Sequence, residues 1–250
     1  MQRTGAEAEQ GSKIIIWSEA ATSVSPDKED ELLKRAKELA QNKNIYLGVS
    51  YMALYKRGIL PDGKIGKNKI VFINPQYEIE TIYLKHIPVP GFEASLFEKG
   101  VSDIPVITTP YGKIAMVICY DADFSQFVKQ VGKNKADILL IPGNDWEEIA
   151  PYHTRLSYFR GIENGVSIFS AANMATMGAA DPYGKVIQEK STFDFENGTS
   201  MKAQVPTKRV NTLYAILGDW FAWVCVFLTG ACVLYMVITP IIRCLLAKNL

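Results

Sequence analysis

With 250 residues, 48% hydrophobic, 21% charged and 11% aromatic, the chain is long and apolar enough for one large domain or two small ones, and disorder is excluded. Lys plus Arg (27) nearly cancels Asp plus Glu (26), so no net field draws the chain to nucleic acid. Of the four cysteines, only Cys119 lies outside the apolar C-terminal region that holds Cys225, Cys232 and Cys244, which excludes a disulfide framework or a Cys-rich zinc site. With only His86 and His153, and no paired ligand spacing, no metal site is expected either.

Residues 1–12 are polar and carry no apolar signal-peptide core. From residue 13 onward, short β-rich runs alternate with helical stretches. KIIIW at 13–17 is a buried-strand run; Ser25 and Pro26 then suit an N-cap and first helical position, and Leu32, Leu33, Ala36, Leu39 and Ala40 make one apolar stripe that predicts a helix to about residue 42. Further strands are predicted over 45–53, 69–73, 77–85, 106–108, 114–119, 138–141 and 166–171, many of them continuous apolar runs suited to a sheet covered on both faces. Helices are predicted over 124–131 and 152–163, and the turn residues DPYG at 181–184 precede a last pair of strands over 185–190 and 199–205. The pattern is α/β, with a domain over 13–212.

Residues 213–219 read as a juxtamembrane linker. The next 23 residues, 220–242, contain no charge, and as a helix they would be roughly 35 Å long, enough to span a bilayer. Trp220 and Trp223 suit an interfacial aromatic belt, and a short basic tail, 243–250, carries Arg243 and Lys248. Lys202, Lys208 and Arg209 on the other side are too evenly matched with these to set an orientation.

The residues able to carry chemistry lie at strand ends. Cys119 closes KIAMVIC ahead of a helix, where a helix N-terminus lowers a thiol's pKa. Taken alone, such a cysteine is more often a small buried hydrophobe. Glu19 follows the first apolar strand directly, and a carboxylate there is costly to desolvate without a partner. Lys85 ends another strand and precedes HIPVPGFE, where Pro88, Pro90 and Gly91 shape a loop carrying Glu93. Each charge alone suits a solvated surface position. Together, a thiol, a base for its proton and a cation for an oxyanion make a nucleophilic site that needs no histidine.

On these residues the sequence resembles the nitrilase, or carbon-nitrogen hydrolase, superfamily, whose Glu, Lys and Cys come in this order. Glu19 in WSEA, Lys85, Cys119 in ICYDADF, the RGIENGV helix end with Arg160, Glu163 and Asn164, and the loop of Asn144, Asp145 and Trp146 carry the resemblance. Glu93, eight residues after Lys85, and the exit TLYAILGDWFAW into the apolar segment are similar to the membrane-bound apolipoprotein N-acyltransferase branch. Asp121 stands where that pattern has a glutamate. The superfamily's first strand and helix, and the membrane helices of the branch, have no counterpart ahead of Glu19.

The resemblance implies an α-β-β-α sandwich with its N-terminal strand and helix missing, plus one C-terminal transmembrane helix. It implies Glu19, Lys85 and Cys119 as the catalytic residues, with Glu93, Tyr120, Asp121, Asn144 and Trp146 supporting them. No cofactor is called for. The activity it implies is transfer of an acyl chain from a phospholipid donor, through a Cys119 thioester, to the N-terminal amine of a lipidated apolipoprotein, at the cell membrane with the domain extracytoplasmic. The missing elements suit a fragment, a truncated copy or half of a split protein whose partner chain supplies the membrane helices. The alternatives are a membrane-tethered amidase or nitrilase, and a non-catalytic remnant.

Overall fold

The computed structural model describes residues 1–193 and 199–247. The first half builds one sheet. Helix α1 (Gln2–Glu9) leads into β1 (Ile14–Ile16), β2 (Ser23–Val24), helix α2 (Pro26–Lys43), β3 (Tyr46–Leu54), β4 (Gly66–Ile73) and β5 (Ile79–Leu84). The sheet order is β1-β3-β4-β5; β1 and β2 both run parallel to β3 on the same side, at its two ends. Helix α3 (Phe92–Leu96) precedes the second half: β6 (Val106–Thr109), β7 (Gly112–Met116), helix α4 (Ser125–Lys133), β8 (Ile138–Asn144), helix α5 (Ala150–Asn164), β9 (Ser167–Asn173), β10 (Thr176–Ala180) and β11 (Val186–Ser191). These strands form a second sheet in the order β11-β10-β9-β8-β7-β6, with β7, β8 and β9 parallel.

Three apolar layers build the fold, the middle one joining the halves, and side-chain alternation along each strand assigns them. Val71 and Ile73 on β4 face outward with Leu47 and Val49 against Ala36 and Ala40 of α2. Ile70, Phe72 and Tyr83 face inward and meet Ile114, Met116, Ile118 and Leu140 of the second sheet. Ala115, Val117, Leu139 and Ile168 face outward again, against Val128 and Val131 of α4 and Tyr158 of α5. The result is an α-β-β-α sandwich. On its outer side β1 has no neighbouring strand among the described residues, and the interlayer space there widens into a cavity of ≈ 990 Å³ lined by residues including Ile14, Ile16, Tyr111, Phe169 and Met177.

Four local expectations are corrected. The polar N-terminal segment forms α1, held on the domain by the Trp17 Nε1 bond to Thr4 Oγ1 (3.0 Å), a tether that hydropathy does not reveal. Residues 199–205 form no strand; their polar groups bond to α1 instead, Ser200 Oγ to Glu7 (2.6 Å) and Lys202 Nζ to Gln10 (3.1 Å). Strand β10, TMGAA, escapes prediction because glycine and alanine carry little β propensity; Gly178 is needed where the Tyr158 hydroxyl leaves no room for a Cβ. The expected linker contains helix α6 (Leu213–Leu217), capped by Thr212 and anchored by buried Ala215.

The last helix, α7, runs Trp220–Ala247. Its stretch Trp220–Pro240 is long and apolar enough to cross a membrane, and no part of it is buried against the domain. It takes in most of the expected basic tail; residues 248–250 lie outside the described residues.

Gly165 closes α5 with a left-handed φ of +67°, and a Cβ there would meet the Val210 carbonyl oxygen at 2.0 Å. Gly165→Ala is therefore expected to destabilise the domain by about 2 kcal/mol or more, lowering Tm by roughly 4 °C or more in a thermal melt. An unchanged Tm would contradict this packing.

Candidate active site

The site lies at one end of the layer between the sheets. Between β1 and β2 the chain leaves the edge of β3 and turns, with Ala20 at φ +52° and Ala21 N–H bonded to Ser18 O (3.2 Å). This break carries Glu19 inward, where its carboxyl is 3% exposed and Oε1 accepts from Asn68 Nδ2 (2.7 Å) on β4 and from Lys85 Nζ (2.8 Å). Lys85 follows β5, two residues after Tyr83, so alternation turns it toward the same interlayer space. Its side chain is 2% exposed, and its ammonium also donates to Glu93 Oε2 (2.7 Å). That same oxygen accepts from Val89 N–H (2.8 Å), so Glu93 ties the proline-shaped loop to the lysine. Burial opposes the charge on Lys85, but Glu19, Cys119 and Glu93 outweigh it and hold the ammonium above the usual lysine range.

Cys119 opens a 3-10 turn, Cys119–Asp123, and takes a left-handed φ of +47°, rare for a residue with a side chain. It is 6% exposed. The expected lowering of its pKa does not occur. Burial and the Glu19 carboxylate push the thiol well above its ordinary range; Lys85 pulls the other way, Asp145 adds to the rise, and a hydrogen bond from the backbone of Asn144 lowers it again. A short 3-10 turn in a buried acidic setting does not offer the field of a long exposed helix N-terminus. At rest, the sulfur carries its proton.

Asp121 is fully buried and braces this turn. Its Oδ2 accepts from Tyr83 O–H (2.7 Å) and Ile118 N–H (3.1 Å), and its Oδ1 from Ile87 N–H (2.7 Å), which links the cysteine turn to the lysine strand. Tyr120 packs edge-on against Phe124, with centroids 5.0 Å apart, and partly under the interlayer core. Asn144 reaches the sulfur through its backbone, while its side-chain oxygen accepts from Asn173 (3.4 Å). Trp146 is 54% exposed. The structure thus brings Glu19, Lys85, Glu93 and Cys119 into one cluster, sets Asp121 behind it and leaves Trp146 at its rim.

Sequence reasoning passed over a second polar group. Asp145 Oδ1 lies 3.9 Å from Cys119 Sγ and 2.7 Å from His153 Nδ1, and His153 Nε2 lies 3.0 Å from Asp123 Oδ1. Cys119 Sγ, an Asp145 carboxylate oxygen and a His153 ring nitrogen all lie within 4.8 Å of one another, with Asp145 already engaging Nδ1. The spacing rule missed the group because its members come from three separate elements. The signals present were the carboxylates of DAD and NDW, which follow two neighbouring strands.

An α-β-β-α sandwich with a buried thiol, ammonium and carboxylate at one end of its interlayer core is the framework of an enzyme. The chain belongs to the carbon-nitrogen hydrolase family, whose model matches residues 3–205. Among curated relatives, an apolipoprotein N-acyltransferase of Pseudomonas aeruginosa is 24% identical over 204 residues, covering 74% of this chain and 39% of that protein. A deaminated glutathione amidase of Dictyostelium discoideum is 26% identical over 187 residues, covering 65% of this chain and 62% of that one. The chain therefore spans about two fifths of the length of the acyltransferase it matches. An amidase from Nesterenkonia sp. superimposes with a TM-score of 0.64 at 18% identity, covering 76% of this chain and 77% of that one, which shows the shared fold.

Flanked by Asp145 and Asp123, the His153 imidazolium holds its proton up to a pKa of about 10 against an ordinary 6.5; burial opposes the charge, and the contacts with the two carboxylates overcome it. Its folded value being the higher, the stabilisation is complete below about pH 6.5 and is lost as pH rises toward 10. The Tm advantage of the native protein over His153→Gln is expected to shrink steadily across that window in parallel thermal melts. A constant difference would contradict a charged His153.

Proposed function

We propose that the chain is a membrane-bound N-acyltransferase that moves an acyl chain from phospholipid, through a thioester on Cys119, to the N-terminal amine of a lipidated protein. The observation that carries this reading over a soluble hydrolase is apolar surface placed where lipid substrates would arrive. Helix α7 leaves the domain with an unburied apolar stretch. Phe92, beside Glu93, is 75% exposed; Trp146, beside Asp145, is 54% exposed; Met174, beside Asn173, is 40% exposed. The similarity to apolipoprotein N-acyltransferase supports the same reading.

The chemistry follows from the site. Among the described residues, both donors to Glu19 act on Oε1, which leaves Oε2 to take the thiol proton as the sulfur attacks the ester carbonyl carbon. Because the resting thiol is protonated, attack and proton transfer are coupled. Lys85 Nζ stabilises the tetrahedral oxyanion, Glu19 returns the proton to the departing lysophospholipid alcohol, and the acyl group remains on sulfur. In the second half the acceptor amine attacks the thioester, Glu19 takes the amine's proton and passes it to the departing sulfur, which leaves as the thiol. Glu93 holds Lys85 in line. The open edge of β1 and its cavity leave room for one more sheet element, which further polypeptide would bring together with membrane helices. In this reading α7 spans the cell membrane and the domain faces the extracytoplasmic side.

The second reading, a membrane-tethered amidase, is favoured by the Dictyostelium relative and by the amidase fold; in a mutant of the Nesterenkonia enzyme the acetamide moiety of fluoroacetamide adds covalently at the active-site cysteine. The same three residues would then cleave a small amide.

With that further polypeptide supplied in trans or by fusion, incubation with phospholipid micelles is expected to add an acyl-sized mass to Cys119 that hydroxylamine removes, with none on Cys119→Ser, whereas the chain alone is expected to show weak or absent turnover. Glu19→Gln should slow formation by about 10² to 10⁴. Ammonia released from a small amide without any lipid adduct would establish the amidase reading instead. The chain is also expected to stay with membranes through alkaline carbonate extraction; release into the supernatant would contradict the spanning role of α7.

A further inference from the structure

The mechanism above leaves unused a second polar group beside the nucleophile. Asp145, at the end of β8, Asp123, at the end of the cysteine turn, and His153, in the first turn of α5, meet there. The closest of them to the sulfur is a carboxylate oxygen, Asp145 Oδ1, 3.9 Å from Sγ and accepting from the thiol. It is a buried group. Left to itself, it would act against the nucleophile in two ways: its negative charge would oppose the thiolate, and it would compete with Glu19 for the proton.

The same oxygen is engaged from its other side. His153 Nδ1 lies 2.7 Å from Oδ1, and Nε2 faces Asp123 at 3.0 Å, so each ring nitrogen meets a carboxylate. A carboxylate within ion-pair reach of each ring nitrogen favours the imidazolium over either neutral tautomer. We propose that His153 is a positioning residue for the nucleophile: held between Asp123 and Asp145, its cation neutralises the carboxylate that touches Cys119, so that Asp145 orients the thiol without repelling the forming thiolate, and Glu19 is left as the proton acceptor.

The charged groups acting on the sulfur are Glu19, Lys85 and Asp145, with a backbone hydrogen bond from Asn144; those acting on the ring are Asp123 and Asp145. On the Glu19 side, Lys85 sits between two carboxylates, Glu19 and Glu93. On the Asp145 side, His153 again sits between two. Without the histidine, Cys119 would face carboxylates on both sides and one cation.

The inference rests on Cys119 being the nucleophile, and the test reads the thiol itself. The full chain in phospholipid nanodiscs is treated with iodoacetamide across a range of pH, and alkylation of Cys119 is followed by peptide-resolved mass spectrometry, which separates it from the cysteines of α7. His153→Gln is expected to shift the alkaline rise in rate upward by about one pH unit or more, about tenfold slower alkylation at a fixed pH below it. Adding Asp145→Asn to His153→Gln should return the profile to the native position, and His153→Lys, which keeps a cation, should stay nearer native than His153→Gln. Where the glutamine variant does not fold, His153→Asn carries the same comparison. Superimposable native and His153→Gln profiles, or a double variant that stays with His153→Gln, would overturn the proposal. Alkylation requires no lipid. A shifted profile without any acyl adduct once the further polypeptide is supplied would keep this inference and remove the acyl-transfer reading, and an adduct with an unshifted profile would do the reverse.

Discussion

The arrangement depends on one buried ammonium. Lys85 lies almost wholly out of water, and removing a charge from solvent costs several kcal/mol unless other charges and hydrogen bonds replace the lost hydration. Glu19 and Glu93 provide that replacement from two separate elements, the break between β1 and β2 and the start of α3. Each carboxylate is in turn fixed by a further donor, Asn68 for Glu19 and the Val89 amide for Glu93. A lysine in this position dictates where two loops go. The ion pairs act as a tertiary restraint on both loops.

Such a cluster contributes little net stability, since the desolvation of three charges offsets most of their mutual attraction. What it provides is definition. Oε1 of Glu19 is committed to Asn68 and Lys85, which fixes the orientation of its carboxyl group. Asp121 performs a comparable service in the second sheet by joining the Tyr83 hydroxyl and two backbone amides across the gap between β5 and the cysteine turn. The aspartate that replaces the expected glutamate therefore has a full set of donors, and the shorter side chain suits the distance the backbone leaves. The sulfur itself is held in a conformation that a residue with a side chain rarely takes, and the bonds around Asp121 stabilise that strained turn.

Legibility in the sequence followed the strength of the local signal. The long alternating or wholly apolar runs of β3, β4, β8 and β9 and the stripe of α2 were readable because burial on two faces imposes composition directly. Strand β10 and helix α1 were not, because their places are set by partners distant in the chain: Gly178 fits beneath the Tyr158 hydroxyl, and Thr4 meets Trp17. The run over 199–205 has strand-like composition but no ladder to join, and α1 takes its polar groups. At the site, strand-end positions pointed to Glu19, Lys85 and Cys119, whereas the raised pKa of the thiol and the His153 pair depend on how three elements converge, which linear spacing does not encode.

The chemistry and the surroundings make opposite demands on this end of the molecule. The reacting groups must be withdrawn from water for their charges to act at short range, yet Phe92 and Trp146, the sequence neighbours of Glu93 and Asp145, are exposed apolar side chains. In water such exposure is a liability, and so is an uncovered apolar helix leaving the same domain. Both become ordinary if hydrocarbon, not water, covers them. The low dielectric that strengthens the Lys85 pairs would then extend into the phase that covers the helix.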